Sequence, residues 1–350
     1  MQTGISLYFG EGVEKNEEAI ERARRAGVRL AFTSMHIPEE EGVAYRDAAR
    51  HLLALCRDAG IDLMVDVSPV TLEKLGFSRI EDLLDFGVTL IRLDFGFDAA
   101  RTVELSRHFR IVFNASTVSR EDIRAWRAAG ADFTRFAACH NFYPKPLTGL
   151  SIEEVRRINE RLSLLGFTTM AFVPGDGELR GPLHEGLPTV EDQRSRRDAV
   201  ALNMLELWAA GETDAVLVGD PGLTERSWDE LGCLSAGYVP VHAEGSGACE
   251  ELSGQMHHDR TDSSPYVFRS VESRTTLRPS PALLAPAEPM PRPAGTIAVS
   301  NERYGRYAGE LEIARVDLPA DPRMNVLGRI SECDRAYLPY LVRGMGVRLS

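Results

Sequence analysis

The sequence predicts an α/β protein: a (β/α)8 TIM barrel followed by a small, mainly β domain. Three observations carry this. Over residues 1–236, short apolar, β-branched runs alternate with amphipathic stretches, giving eight strand-then-helix units. That length is close to the ~250 residues typical of such barrels. Most of the predicted helices end in a glycine just before the next strand. After Gly237 the helices drop out and strand-like pieces follow one another directly, which sets a second domain at residues 240–350.

The predicted barrel strands are Gly4–Phe9, Leu30–Ser34, Asp62–Val67, Thr89–Asp94, Ile111–Asn114, Phe133–Ala137, Thr168–Val173 and Ala215–Val218. Between and after them, amphipathic spacing predicts helices at Lys15–Ala26, Val43–Ala59, Pro69–Phe86, Ala99–Arg107, Arg120–Ala129, Ile152–Leu165, Gln193–Ala210 and Glu225–Cys233. Gly27, Gly60, Gly87, Gly130, Gly166 and Gly211 stand where a helix C-cap needs the left-handed conformation. Ser119 and Ser151 each precede a carboxylate three residues on, the pattern of a capping box. A doubly wound open sheet is the alternative, but no G-x-G-x-x-G follows the first strand. In the second domain the predicted strands are Tyr238–His242, Tyr266–Val271, Thr296–Ser300, Glu310–Ala314 and Tyr340–Arg348. Six prolines within residues 279–293 mark a loop, because proline removes a ladder donor.

Composition narrows the function. A formal net charge of −12 argues against a nucleic-acid partner, which needs a basic footprint. Five cysteines without a Cys-x-x-Cys pair predict neither a disulfide framework nor a zinc knuckle. No secretory leader and no membrane-length apolar run is evident, so a cytoplasmic protein without membrane association is expected. Lysine occurs only at positions 15, 74 and 145, none at a strand end, so Schiff-base chemistry is a poor fit. No Walker loop and no G-x-S-x-G is present.

Barrel enzymes build their sites at the C-terminal ends of the strands. In this sequence those ends carry His36 and Glu39 after strand 2, Asp66 after strand 3, Asp94 after strand 4 and Asn114 after strand 5. His140, Asn141 and Tyr143 follow strand 6, Arg180 and Glu185 lie in the long loop after strand 7, and Asp220 follows strand 8. Each has a structural reading beside the functional one. Asp94 shares a strand face with Arg92, so it either pairs there or serves the site. Asp66 and Asp220 either cap the following turn or helix or work in the mouth. Glu185 and Arg180 are solvated loop charges or site residues. His36 and His140 are hydrogen-bonded core histidines or ligands. Asn141 and Tyr143 belong to a proline-framed turn or to a binding surface. The chemistry left open is carboxylate catalysis, or a metal held by His36, Glu39, Asp66, Asp94 and His140.

Several of these segments, in order, resemble the MupG-like family: Thr33-Ser34-Met35-His36-Ile37-Pro38-Glu39, Arg92-Leu93-Asp94-Phe95-Gly96, Asn114-Ala115-Ser116-Thr117, His140-Asn141-Phe142-Tyr143-Pro144, Phe172-Val173-Pro174-Gly175-Asp176 and Glu185-Gly186-Leu187-Pro188. In the tail, Arg269-Ser270, Ser273-Arg274 and the stretch from Arg323 to Ile330 resemble it too. The resemblance implies a TIM barrel joined to a cyclophilin-like domain. It also implies a 6-phospho-N-acetylmuramidase, which cleaves the phosphorylated amino-sugar disaccharide N-acetylmuramic acid 6-phosphate–N-acetylglucosamine in peptidoglycan recycling. Glycosidic hydrolysis ordinarily uses two carboxyl groups. Strand-end position selects Asp94 and Glu185, with Asp220 next. Arg180 is the barrel's candidate for the phosphate, and Arg269 and Arg274 are the second domain's. His36, Glu39, Asp66, Asn114, His140, Asn141 and Tyr143 are expected to line the sugar site. No cofactor and no metal is expected. A metal-dependent sugar-phosphate isomerase or hydrolase, and a non-catalytic sugar-phosphate sensor, are the alternatives.

Overall fold

A computed structural model describes residues 1–34, 45–67, 77–93, 97–245 and 247–350. The chain divides into two compact units, Met1–Ser235 and Ala236–Ser350.

The first unit is a closed barrel of eight parallel strands in sequential order: β1 (Gln2–Ser6), β2 (Leu30–Ser34), β3 (Asp62–Val67), β4 (Leu90–Leu93), β5 (Arg110–Asn114), β6 (Phe136–Cys139), β7 (Thr168–Val173) and β8 (Ala215–Val218). β1 closes the ring by pairing with β8, Thr3 beside Val216. Described helices around it are α1 (Val13–Arg25), α2 (Tyr45–Asp58), α3 (Ala99–Leu105), α4 (Arg120–Ala128), α5 (Ile152–Ser163), α6 (Val200–Ala209) and α7 (Glu225–Ser235). The helix expected after strand 3 falls partly outside the described residues, and its remainder, Ile80–Phe86, is a 3-10 helix. The capping box at Ser119 forms in full: Asp122 N donates to Ser119 Oγ at 3.1 Å, and Ser119 N to Asp122 Oδ2 at 2.9 Å. Five of the six C-cap glycines take positive φ. Gly211 does not; Glu212 turns the chain there with φ 50°. Gly211 is needed for space, since a Cβ would stand 2.6 Å from the carbonyl oxygen of Leu207.

The strands have a period of two, so every second side chain points inward. Leu30, Phe32, Met64, Leu90, Val112, Ala137, Cys139, Met170, Phe172, Ala215 and Leu217 fill the barrel as one buried cluster. Phe32 and Phe172 meet edge to face at 5.3 Å in its upper layer. Gly4 contributes no side chain because Leu217 occupies that volume; a Cβ would lie 2.6 Å from Leu217 Cγ. This plug makes the barrel a solid floor.

The second unit is mainly β. One five-stranded sheet has the order β10 (Ala243–Gly245), β15 (Met324–Ile330), β13 (Thr296–Ser300), β14 (Leu311–Ala314), β12 (Val267–Arg269). A three-stranded sheet has the order β11 (Met256–His258), β16 (Gly346–Leu349), β9 (Tyr238–Val241). The expected strand Tyr340–Arg348 begins only at Gly346, because the chain turns at Arg343 (φ 52°) and Gly344 (φ 87°) after the 3-10 helix Glu332–Tyr340. The proline-rich stretch is a loop with one short helix, Pro281–Leu284. Asn325 clamps it: its side-chain amide donates to the carbonyls of Leu283 (2.8 Å) and Ala285 (2.7 Å) and accepts from Ala287 N (3.1 Å). Among the described residues no helix is long and apolar enough to cross a membrane.

Candidate active site

The inward parity that builds the core continues one step further, to the C-terminal ends of the strands. Two residues beyond Phe32, Met64, Leu90, Val112 and Cys139 stand Ser34, Asp66, Arg92, Asn114 and Asn141. Strand register sets Ser34 beside Asp66 and Asp66 beside Arg92. These five polar side chains crown the hydrophobic plug and line an open cavity of about 380 Å3, completed by Phe142, Pro144, Arg180 and Leu187 among others.

Arg92 is the central cation of this mouth. Its side chain is 11% exposed. Its Nε lies 3.6 Å from Asp66 Oδ1, and its Nη2 donates to Asn141 Oδ1. The described partners of Arg92 are therefore Asp66 and Asn141. Asp94, its expected partner, lies outside the described residues, as do His36 and Glu39. The second cation, Arg180, is 14% exposed and stacks its guanidinium 3.8 Å over the ring of Tyr8, with Glu11 at 3.9 Å. Tyr8 is fully buried and donates its hydroxyl to the Gly219 carbonyl at 2.6 Å; burial raises its pKa further above the usual phenol value. The arginine thus lies on a fixed aromatic platform, which keeps its fork oriented toward the cavity.

The loop that carries Arg180 is held by Asp220. This carboxylate is 2% exposed and accepts three backbone N–H bonds: Gly175 and Leu187 on Oδ2 (2.9 Å each) and Arg180 on Oδ1 (3.0 Å). Burial pushes its pKa up, while the three amides pull it back. Gly222 permits the same closeness between the loops after β7 and β8, because a Cβ there would stand 2.2 Å from Glu178 N. Asp176 ties the same loop to the start of α7 by accepting from Thr224 N, Thr224 Oγ1 and Ser227 Oγ. Asp220 is an anchor of the Arg180 loop and does not line the cavity.

Other expected residues divide in the same way. Asp66, Asn114, Asn141 and Arg180 share the cavity. His140 does not. One position past the inward Cys139, it points out of the barrel, fully buried, with Nε2 2.9 Å from Asn159 Oδ1 of α5. Burial lowers its pKa to about 4, so it is neutral at pH 7. The expectation that His140 binds sugar is corrected on this parity ground. Tyr143 contributes its main chain: its N donates to the Pro188 carbonyl, and its carbonyl accepts from Arg194. Glu185 is exposed and is absent from the described lining. Arg269 and Arg274 belong to the second unit, where Arg269 donates to Asp262 and Arg274 lies 3.7 Å from Glu310.

Two residues of the site stand out less in the sequence. Arg92 reads there as a partner for Asp94, although its parity with Leu90 already marks it as inward-facing. Arg194 carries no local signal. It pairs with Glu191, whose pKa it holds down at about 2, and its guanidinium donates to the carbonyls of Tyr143, Glu185 and Gly186. It joins the loops after β6 and β7, and no local pattern signals that. Among the described residues no group of three or more His, Cys, Asp or Glu side chains is placed to hold a metal.

Comparison with known proteins matches both units. Residues 3–233 match the N-terminal domain model of 6-phospho-N-acetylmuramidase, and residues 242–350 match its C-terminal domain model. Among solved structures, a conserved protein of unknown function from Enterococcus faecalis is 33% identical, with all of this chain and 96% of that chain covered and a TM-score of 0.73. An uncharacterized B. cereus protein is 25% identical over all of this chain and 99% of its own, with a TM-score of 0.72. No curated protein gives a significant match.

Proposed function

Because the chain belongs to the 6-phospho-N-acetylmuramidase family, a family of glycosidases, over both of its units, we propose that the barrel mouth described above is where the phosphorylated disaccharide N-acetylmuramic acid 6-phosphate–N-acetylglucosamine is bound and hydrolysed. The observation that carries this assignment is the pair of held arginines, Arg92 and Arg180, in one polar cavity above a sealed barrel core. The glycone carries a phosphate and a lactyl carboxylate, and guanidinium forks suit both. Arg180, on its Tyr8 platform, is the phosphate ligand of this reading, and Asn114, Asn141 and Asp66 serve the hydroxyl and acetamido groups.

The chemistry requires a proton on the departing glycosidic oxygen and stabilisation of the positive charge that grows on the sugar ring. Asp94 and Glu185 are the proposed carboxyl pair. One protonates the leaving oxygen; the other, or the substrate's own 2-acetamido group oriented by it, supports the opposite face until water completes hydrolysis. The setting is recovery of cell-wall fragments in the cytoplasm. The test is turnover of the disaccharide with and without its 6-phosphate. Charge-assisted contacts are worth roughly 1.5–3 kcal/mol each, so loss of the phosphate is expected to lower kcat/KM at least tenfold. Equal rates on the two substrates would remove the phosphate from recognition.

A further inference from the structure

A second cavity, of about 340 Å3, adjoins the first. The two share Leu93 and Asn114 in their walls, at the ends of β4 and β5. Their chemistry differs. The first cavity holds Asp66 with two arginines. The second holds Asp98 and Asp122, and no lysine, arginine or histidine lines it among the described residues. Each of its aspartates ties an oxygen to the local chain: Asp98 Oδ1 accepts from Arg101 N at 2.8 Å, and Asp122 Oδ2 from Ser119 N at 2.9 Å. The opposite oxygen of each is left as an acceptor for hydroxyl groups. The inner wall is Trp126, stacked at 4.2 Å on Phe113, which gives the cavity a rigid aromatic side.

We infer that this second cavity is the leaving-group subsite, built to take a neutral N-acetylhexosamine. The inference rests on the reaction proposed above and deepens it. Of the two rings of the disaccharide, one carries two anionic groups and the other none. Reversed binding would put a phosphate against two carboxylates while leaving two arginines facing hydroxyls, and like-charge juxtaposition of that kind is strongly disfavoured. Charge therefore fixes the direction in which the substrate lies: the phosphorylated ring over Arg92 and Arg180, and the neutral ring between Asp98, Asp122 and Trp126. The scissile bond then crosses the shared wall at Leu93 and Asn114.

The test fills the second cavity and leaves the first alone. Thr117 is exposed on its wall, so Thr117→Trp occupies it without disturbing the core. Ala125, exposed on α4, allows Ala125→Phe as an independent variant should the first lose its cooperative thermal transition. Two substrates are compared: the phosphorylated disaccharide, and the glycosyl fluoride of N-acetylmuramic acid 6-phosphate, whose leaving group fills no subsite. The expected result is a loss of kcat/KM at least tenfold larger on the disaccharide than on the fluoride. Free N-acetylglucosamine should also inhibit wild-type fluoride hydrolysis, and the filled variants at least tenfold more weakly. Equal losses on both substrates, or no loss on either, overturns the subsite while leaving the reaction intact. A wild-type enzyme that leaves the disaccharide uncleaved overturns the reaction and the subsite together.

Discussion

Asp220→Asn separates an anchor from a catalyst. The carboxylate accepts three main-chain N–H bonds with both oxygens. An asparagine has one accepting oxygen. If that oxygen keeps Gly175 and Leu187, its NH2 group faces the N–H of Arg180, and a hydrogen bond becomes a donor–donor contact. Losing one charge-assisted bond costs roughly 1.5–3 kcal/mol, and the two that remain weaken to neutral strength. Relief of a buried charge offsets part of this, because burial already raises the Asp220 pKa. The net expectation is about 2–4 kcal/mol of lost stability. For a unit of this size each kcal/mol moves the midpoint by about 2–4 °C, so a drop of roughly 5–15 °C is expected. The assay is thermal unfolding followed by far-UV circular dichroism, run beside kcat/KM on the disaccharide. Because the affected loop carries Arg180, KM should rise, and activity on a substrate lacking the 6-phosphate should change less. A variant with a wild-type midpoint and a kcat reduced a thousandfold would refute the anchor and return Asp220 to the reacting groups.

Further outcomes follow from the proposed reaction and from the described geometry. Asp94→Asn and Glu185→Gln should each keep the fold and lower kcat by about 10²–10⁴, the range of general acid–base help; a stable Asp94→Asn enzyme with near-normal turnover removes Asp94 from the mechanism. If Glu185 is the proton donor, Glu185→Gln should retain more activity on an aryl glycoside, whose leaving group needs no protonation. Arg92→Gln should raise KM at least tenfold and leave the thermal midpoint within a few degrees, since Asp66 stays partly solvated; unchanged kinetics would mean that Arg92 only neutralises Asp66. The buried His140, with its pKa held at about 4, stays neutral where an unfolded histidine near 6.5 takes up a proton. The folded state therefore loses up to about 3 kcal/mol as pH falls from 6.5 towards 4, and His140→Phe should flatten that part of the stability–pH curve measured by denaturant titration. Incubation with a chelator should leave the hydrolysis rate unchanged, because carboxyl-pair chemistry needs no ion; a loss restored by one divalent metal would favour the metal-dependent reading.

The barrel was legible because its information is local. Eight apolar runs, each followed by an amphipathic stretch, and a glycine at most helix ends are sequence-near patterns, and backbone sterics convert them directly into βα units. The capping box at Ser119 was legible for the same reason: donor and acceptor are three residues apart. Parity along a strand is also local, and applied strictly it assigns Arg92 and Asn141 to the interior and His140 to the helix layer. Tertiary structure alone decided the rest, because the deciding partners are distant in the chain. Asp220 reads from sequence as a cap or a catalytic acid; three amides brought 33 to 45 residues across the chain make it a loop anchor. Arg180 is an undistinguished loop charge until Tyr8, from the opposite end of the barrel sequence, is placed beneath it. In the second unit β15 was not predicted as a strand, since Asn325 and Gly328 dilute its apolar alternation. It is nevertheless the strand between β10 and β13, and it takes a register shift opposite Ile297 and Ala298 that only the pairing of separate segments can impose. A sequence specifies which face of an element is apolar. Which polar groups meet across that face depends on closure of the barrel, and closure sums contacts that no single stretch of chain contains.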